Sequence, residues 1–107
     1  MESELYFKTI AWWIRYLRLL RGMTQLELAV KCGYQNSFMC GLECGRNMEI
    51  GTILKIACAL GVECWQILKF EKTLEELIPL VREMERALKK KNHEKRYGTK
   101  KKRKRRI

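Results

Sequence analysis

The chain has 107 residues, a formal net charge of +11 and a 47% apolar composition with one proline and seven glycines. This length suits one small domain with an appendage, and the composition allows many helices. The sequence contains no aspartate, one histidine and no glycine-rich phosphate loop. General acid–base catalysis and nucleotide chemistry therefore lack their usual groups. We expect neither an enzyme nor a bound cofactor or metal.

The net positive charge of the chain comes entirely from its C-terminal end. Residues 89–107 contain twelve basic residues and one acidic residue, whereas residues 1–88 are neutral as a whole. Five cysteines occur without a cleavable signal sequence, and no apolar run is long enough to span a membrane. We therefore expect reduced thiols in a soluble, cytoplasmic protein that is associated with the nucleoid and not with a membrane.

A first helix is predicted from about residue 3 or 5 to Arg21, where Gly22 ends it. The residues expected to face the core recur at helical spacing: Ile10, Trp13, Ile14 and Leu17. A second apolar line follows another face of the same helix: Leu5, Thr9, Trp12, Tyr16 and Leu19. Either residues 73–91 of the same chain or a second copy of the chain must cover this line.

Residues 24–46 predict two short helices joined by a tight turn. Thr24 and Glu27 suit a capping box at the start of the first helix, and Gly33 can adopt the left-handed conformation that ends it. The second helix covers about residues 35–44. The residues expected to face the core are Leu26, Leu28, Ala29 and Cys32, then Phe38, Met39 and Leu42. This pattern is a helix-turn-helix, whose second helix can enter the major groove of DNA.

Two further short helices are predicted after this motif, at residues 51–60 and 63–70. Their expected core residues are Ile53, Leu54, Ile56, Ala57 and Leu60, followed by Trp65, Ile67 and Leu68. We expect both helices to support the helix-turn-helix and to close its core.

A series of motifs appears in order along residues 10–68: Ile14-Arg15, Leu17-Arg18, Gly22-Met23-Thr24-Gln25, Leu28-Ala29, Gly33, Leu42-Glu43, Gly45, Leu54-Lys55-Ile56-Ala57, Ala59-Leu60-Gly61-Val62 and Leu68. Together they resemble the Xre/Cro-type helix-turn-helix regulators, which include phage repressors, restriction controllers and antitoxins. The resemblance implies an all-α, five-helix, lambda-repressor-like domain at residues 5–70. Two features depart from the family: Gly41 replaces a long polar residue, and the loop after Gly45 is about one residue short and lacks the usual proline.

Three polar residues occupy the start of the predicted recognition helix: Gln35, Asn36 and Ser37. This end of the helix faces base edges in a helix-turn-helix, and Asn or Gln amides match the edge of adenine. The same side chains are also ordinary helix caps. We expect phosphate contacts from Gln25, whose family counterpart has that role, and from Arg46 and Asn47. The alternative for Arg46 and Asn47 is that either side chain is only solvated surface.

Arg18 and Glu43 match a pair that forms a salt bridge in the family this chain resembles, so we interpret them as structural. The cysteines suggest a metal or oxidant sensor, because Cys40 and Cys44 lie one helical turn apart and Cys32, Cys58 or Cys64 offers a third thiol. Free cysteine is also a common core residue, and we favour that interpretation.

Residues 71–91 predict an amphipathic extension, with Leu74, Leu77, Val81, Met84 and Leu88 on one seam. This seam either packs on the domain or forms a dimer through Leu77, Val81 and Met84. Pro79 should kink or restart the helix. Residues 92–107 are predicted to have no fixed structure and to contact phosphates, the alternative being a solubilising tail.

We therefore predict a regulator of transcription, specifically a repressor, that binds specific double-stranded DNA sequences as a homodimer. An alternative is an antitoxin-like module that neutralises a toxin-like protein partner and represses its own operon. A third hypothesis is RNA binding through the basic tail.

Overall fold

The computed structural model describes the backbone of residues 3–105 and the side chains of residues 3–91. Over that range the chain forms six helices and no strand: α1 (Ser3–Leu20), α2 (Gln25–Cys32), α3 (Asn36–Glu43), α4 (Ile50–Leu60), α5 (Cys64–Leu68) and α6 (Leu74–Arg105). The all-α prediction is confirmed. Among these described helices, none combines the length and the apolar character needed to cross a membrane.

The boundaries of α2 and α3 follow from local chemistry. Thr24 Oγ1 accepts a hydrogen bond from the Glu27 backbone N–H at 3.1 Å, and the Glu27 carboxylate accepts one from the Thr24 N–H at 3.2 Å. Gly33 then adopts φ 75°, a left-handed conformation that glycine reaches without a steric penalty. The Tyr34 N–H donates to the Ala29 carbonyl at 2.9 Å, which closes α2. Three residues therefore suffice to separate the two helices.

The core contains side chains from α1 through α6. Its most deeply buried aliphatic members include Ile10, Ile14, Leu28, Met39, Leu42, Ile56, Leu60, Ile67 and Leu77. Each fully buried side chain of this size stabilises the fold by about 1.5–3 kcal/mol. The Trp13 indole N–H donates to the Gln66 carbonyl at 2.8 Å and so fixes α1 against α5.

Three residues predicted to face the core are more than half exposed: Leu26, Leu54 and Trp65. Each precedes a fully buried residue by two positions. Because successive helical residues are rotated by about 100°, two positions correspond to about 200°, nearly the opposite face. These short helices bury one narrow stripe, so both residues of such a pair cannot face the core.

Helix α6 of the same chain covers part of the second apolar line of α1, of which Leu5 remains exposed. Leu77 and Val81 are both 0% exposed, and Thr9 and Leu19 on α1 are buried as well. Helix α6 packs along α1. Leu77 and Val81, two of the three candidates for a dimer seam, are thus buried within one chain, as expected if the seam packs on the domain; Met84, the third candidate, is half-buried.

Helix α6 differs from the prediction in two further respects. It continues through Pro79 as one helix, so the restart that was one of the two expected effects of Pro79 does not occur, and its backbone remains helical to Arg105, beyond the residue 91 boundary expected from the sequence. Pro79 is exposed, so water can reach the carbonyl that loses its helical partner. Propagating an existing helix is much easier than nucleating one, and Lys and Arg are good helix formers. The packed first half of α6 therefore supports the basic second half.

Candidate nucleic-acid interface

Aromatic contacts fix the turn between α2 and α3. The Tyr34 and Phe38 rings meet edge to face with centroids 4.8 Å apart, and the Lys55 ammonium lies 5.3 Å from the Tyr34 ring centroid. Such cation–π and edge-to-face contacts each contribute roughly 0.5–1.5 kcal/mol. They join the turn to the start of α3 and to α4.

Helix α3 has one buried face and one exposed face. Met39, Leu42 and Glu43 are buried, whereas Gln35, Asn36 and Ser37 are exposed at its N-terminal end. Gln35 is the N-cap residue, yet its side chain makes no capping hydrogen bond. The Gln35 side chain therefore does not cap α3 as the alternative interpretation expected, and its amide is available to bind a ligand.

The side chain of Arg46, which follows α3, packs against Gly41 on that helix. A Cβ atom added at Gly41 would lie 3.1 Å from the Cζ atom of Arg46, inside ordinary contact distance. The Arg46 guanidinium thus folds back over α3 into space that a larger residue would fill. At Gly41, where the family pattern has a long polar residue, the Arg46 side chain occupies the space beside the helix. Sequence reasoning missed this contact. Asn47, the next predicted phosphate contact, is exposed.

Gln25, a predicted phosphate contact, is half-buried and bonded within the protein. Its Nε2 donates to Glu43 Oε1 at 3.2 Å. The side-chain amide is therefore committed to α3, which leaves the backbone N–H groups at the start of α2 as the donors available there. Sequence reasoning did not foresee this bond between residues 18 positions apart.

Glu43 is the centre of a buried charge network. Arg18 donates to it twice, from Nε to Oε2 at 2.9 Å and from Nη2 to Oε1 at 3.1 Å, and the two side chains are 5% and 1% exposed. Arg18 Nη1 also donates to the Met23 carbonyl at 2.7 Å. Arg15 Nε lies 3.3 Å from Glu43 Oε1 and 3.6 Å from Glu85 Oε1. The network joins α3 to α1 and, through Glu85, to α6.

The basic half of α6 begins beside the start of α2. Thr24 and Gln25 line a cleft of about 250 Å³ together with Glu85, Leu88 and Lys89 of α6. Lys89, Lys90 and Lys91 are exposed. The first exposed lysine of the basic half of α6, Lys89, therefore lies on the same side of the domain as the N-terminal end of α2.

The cysteines are all free thiols: Cys32, Cys40, Cys44, Cys58 and Cys64. Cys40 on α3 and Cys44, the C-cap residue of that helix, are exposed. Within the part of the chain whose side chains are described, no three thiols, imidazoles or carboxylates converge as metal ligands do. The three-thiol hypothesis thus has no matching geometry there.

No protein-family model matches the chain. A protein of Neisseria meningitidis serogroup B described as a "Neisseria hypothetical transcription factor" is 37% identical over 60 residues. The match covers 55% of this chain and 57% of that protein, so the chain spans little more than half of the relative's length. The crystal structure of the hypothetical transcription factor NHTF from Neisseria superposes with a TM-score of 0.58 at 28% identity, covering 75% of this chain and 90% of that one.

Proposed function

We propose that this chain is a transcriptional regulator of the Xre/Cro type, in which α1–α5 form a lambda-repressor-like domain and α3 reads the major groove. One observation carries the proposal: Gln35, Asn36 and Ser37 are exposed at the start of a helix whose opposite face is held by buried Met39, Leu42 and Glu43. The resemblance to proteins described as hypothetical transcription factors supports the same role.

Asn36 and Gln35 are the proposed base-reading residues. An amide donates and accepts at once, so it can bond the N6 and N7 edge of adenine, and a good bidentate contact discriminates by about 1–3 kcal/mol. Ser37 can add a hydrogen bond to either kind of base pair. Because Gln35 does not cap α3, base contact would not sacrifice a hydrogen bond of the free protein.

Phosphate contacts would fix the orientation of α3 without reading sequence. Arg46 and Asn47 follow α3 and are exposed. The start of α2 offers backbone N–H groups and a favourable dipole, while Gln25 itself steadies Glu43. The lysines of α6 would supply sequence-independent affinity.

The proposed regulator acts as a homodimer on a two-fold site, and as a repressor it would act by occupying that site. Since Leu77 and Val81 pack within one chain, another surface must join the copies. Ile50 and Leu54 on α4 and Trp65 on α5 are apolar and more than half exposed. Two copies joined there would present two recognition helices to successive major grooves if their spacing is one helical turn.

Selection of bound sequences from a random pool of duplex DNA tests the proposal. We expect one enriched motif with two-fold symmetry. The matched control is Asn36→Ala, which should enrich a motif that is degenerate at the position read by that amide. Enrichment of no motif by the unaltered chain would contradict sequence-specific binding.

A further inference from the structure

Two thiols from different helices, α2 and α4, line the same open cavity. Cys32, the last residue of α2, and Cys58, near the end of α4, line an open cavity of about 450 Å³. Lys31 and Lys55 line the same cavity. The two cysteines are 26 positions apart in sequence, so only the fold brings them together.

The Lys55 carbonyl on α4 relates the positions of the two cysteines. Cys32 Sγ lies 3.9 Å from the carbonyl oxygen of Lys55. Cys58 follows Lys55 by three positions on α4, and helical side chains lean toward the N-terminus over the preceding turn. The Cys58 side chain therefore leans over the turn that carries the same carbonyl. Cys32 and Cys58 are therefore close to each other where α2 packs against α4.

The two thiols differ in environment. Cys58 is exposed, whereas Cys32 is half-buried. Burial raises the pKa of the Cys32 thiol, with Lys55 opposing this effect and Cys58 adding to it. The thiolate is the nucleophilic form of cysteine, and a dissolved reagent reaches an exposed thiol more readily than a half-buried one. Cys58 is therefore placed to react first with a dissolved reagent, and Cys32 to react second from within the protein.

We propose that Cys32 and Cys58 are a site of reversible disulfide formation that joins α2 to α4. The oxidant is a low-molecular-weight disulfide. The Cys58 thiolate attacks one of its sulfurs, which forms a mixed disulfide and releases one small thiolate. Cys32 then loses its proton to water and attacks the Cys58 sulfur, which releases the second. The protein gives up two electrons and two protons, and the small disulfide becomes two thiols.

The resulting bond would close a loop that contains the whole of α3. Such a closed loop reduces the conformational freedom of the unfolded chain. The oxidised protein should therefore unfold at a higher temperature than the reduced protein. Because the bond is read by mass and by thermal unfolding, its test does not depend on the proposed DNA binding.

The test uses the full folded chain, oxidised glutathione as the probe, and alkylation of the remaining thiols before whole-protein mass measurement. We expect Cys32 and Cys58 to be neither alkylated nor bound to glutathione, whatever the state of the other three cysteines. One variant, Cys40→Ser/Cys44→Ser/Cys64→Ser, keeps only the proposed pair and should lose two hydrogens and accept no alkyl group. The matched control, Cys32→Ser/Cys58→Ser/Cys64→Ser, keeps Cys40 and Cys44 and should form no internal disulfide.

Thermal unfolding gives an independent measurement. Oxidation should raise the midpoint of the unaltered chain, and dithiothreitol should reverse the rise. Cys58→Ser changes an exposed residue, so it should keep the helical circular dichroism signal while showing no such rise. A persistent glutathione adduct on Cys58, full alkylation of the unaltered chain, or a bond that forms in the control pair would each overturn the proposal.

Discussion

Arg18 on α1 and Glu43 on α3 are joined by two buried hydrogen bonds, and Arg15 and Gln25 approach the same carboxylate from other directions. Glu43 thus has three partners, whereas Arg18 has one acidic partner and the Met23 carbonyl. This asymmetry predicts unequal effects when either member of the pair is removed.

Glu43→Leu should lower the free energy of unfolding by roughly 3–5 kcal/mol, because it leaves the buried Arg18 without its counter-ion. Arg18→Met should cost less, since Arg15 and Gln25 still contact Glu43. The double variant should lose much less than the sum of the two. Urea unfolding of the four proteins in a double-mutant cycle measures this coupling, and strictly additive losses would contradict it.

Val81→Glu should destabilise the fold rather than separate a dimer. The substitution places an unpaired carboxylate where Val81 is fully buried, a change worth on the order of 4 kcal/mol. Urea unfolding followed by circular dichroism measures the loss. The neighbouring Arg82→Glu is the control, because Arg82 is exposed and its replacement should change stability little. A Val81→Glu protein with unaltered stability and half the original mass would restore the dimer seam.

Asn36→Ala should weaken binding to the selected DNA site by roughly 1–3 kcal/mol and leave non-specific binding nearly unchanged. Asn47→Ala provides a control of the same chemical type. As a phosphate contact, Asn47 should contribute equally on every sequence, so its loss should not alter preference. Titration of each protein against the selected duplex and a scrambled duplex separates the two effects. Equal losses on both duplexes for Asn36→Ala would remove it from the base-reading residues.

Deletion of residues 89–107 removes twelve basic residues and should weaken binding on all duplexes alike. For every phosphate that the shortened chain no longer neutralises, the slope of log affinity against log salt should become shallower by about 0.9. Preference for the selected site should survive, and so should the unfolding midpoint, because Leu77 and Val81 remain. Titrations at several salt concentrations provide the slope. Loss of preference with an unchanged slope would assign sequence reading to the tail.

Leu54→Lys should convert a dimer into a monomer if α4 joins the two copies. Leu54 is more than half exposed, so the charge meets water in the monomer and stability should change little. Light scattering gives the mass, and Lys31→Glu tests whether charge change alone has this effect. A dimer that persists in Leu54→Lys would exclude this face.

Local signals predicted α2, α3 and the turn between them well. Thr24, Glu27 and Gly33 act within a few residues of one another, so their chemistry can be read from the sequence. The α1 stripe of Ile10, Trp13, Ile14 and Leu17 was likewise evident from helical spacing, and all four residues are buried.

Contacts between distant residues were harder to foresee. The seam of α6 indicated that an apolar partner was required, but helical periodicity is the same whether that partner is α1 or another molecule. The bond from Gln25 to Glu43 and the space that Gly41 leaves for Arg46 depend on how helices cross. Periodicity within one helix carries no information about such crossings. Arg15 and Glu85 were missed for the same reason.

Because α6 is one continuous helix, its basic half extends a fixed distance from the domain. A helix rises about 1.5 Å per residue, so the backbone from Lys89 to Arg105 extends roughly 24 Å, close to seven base pairs of duplex at about 3.4 Å each. A flexible tail would sample phosphates at many distances, whereas a helix carries its charges at fixed intervals from α2. If α6 lies along the duplex, duplexes trimmed on the flank beside α2 should lose affinity over a window of about seven base pairs, and further DNA beyond that window should add little.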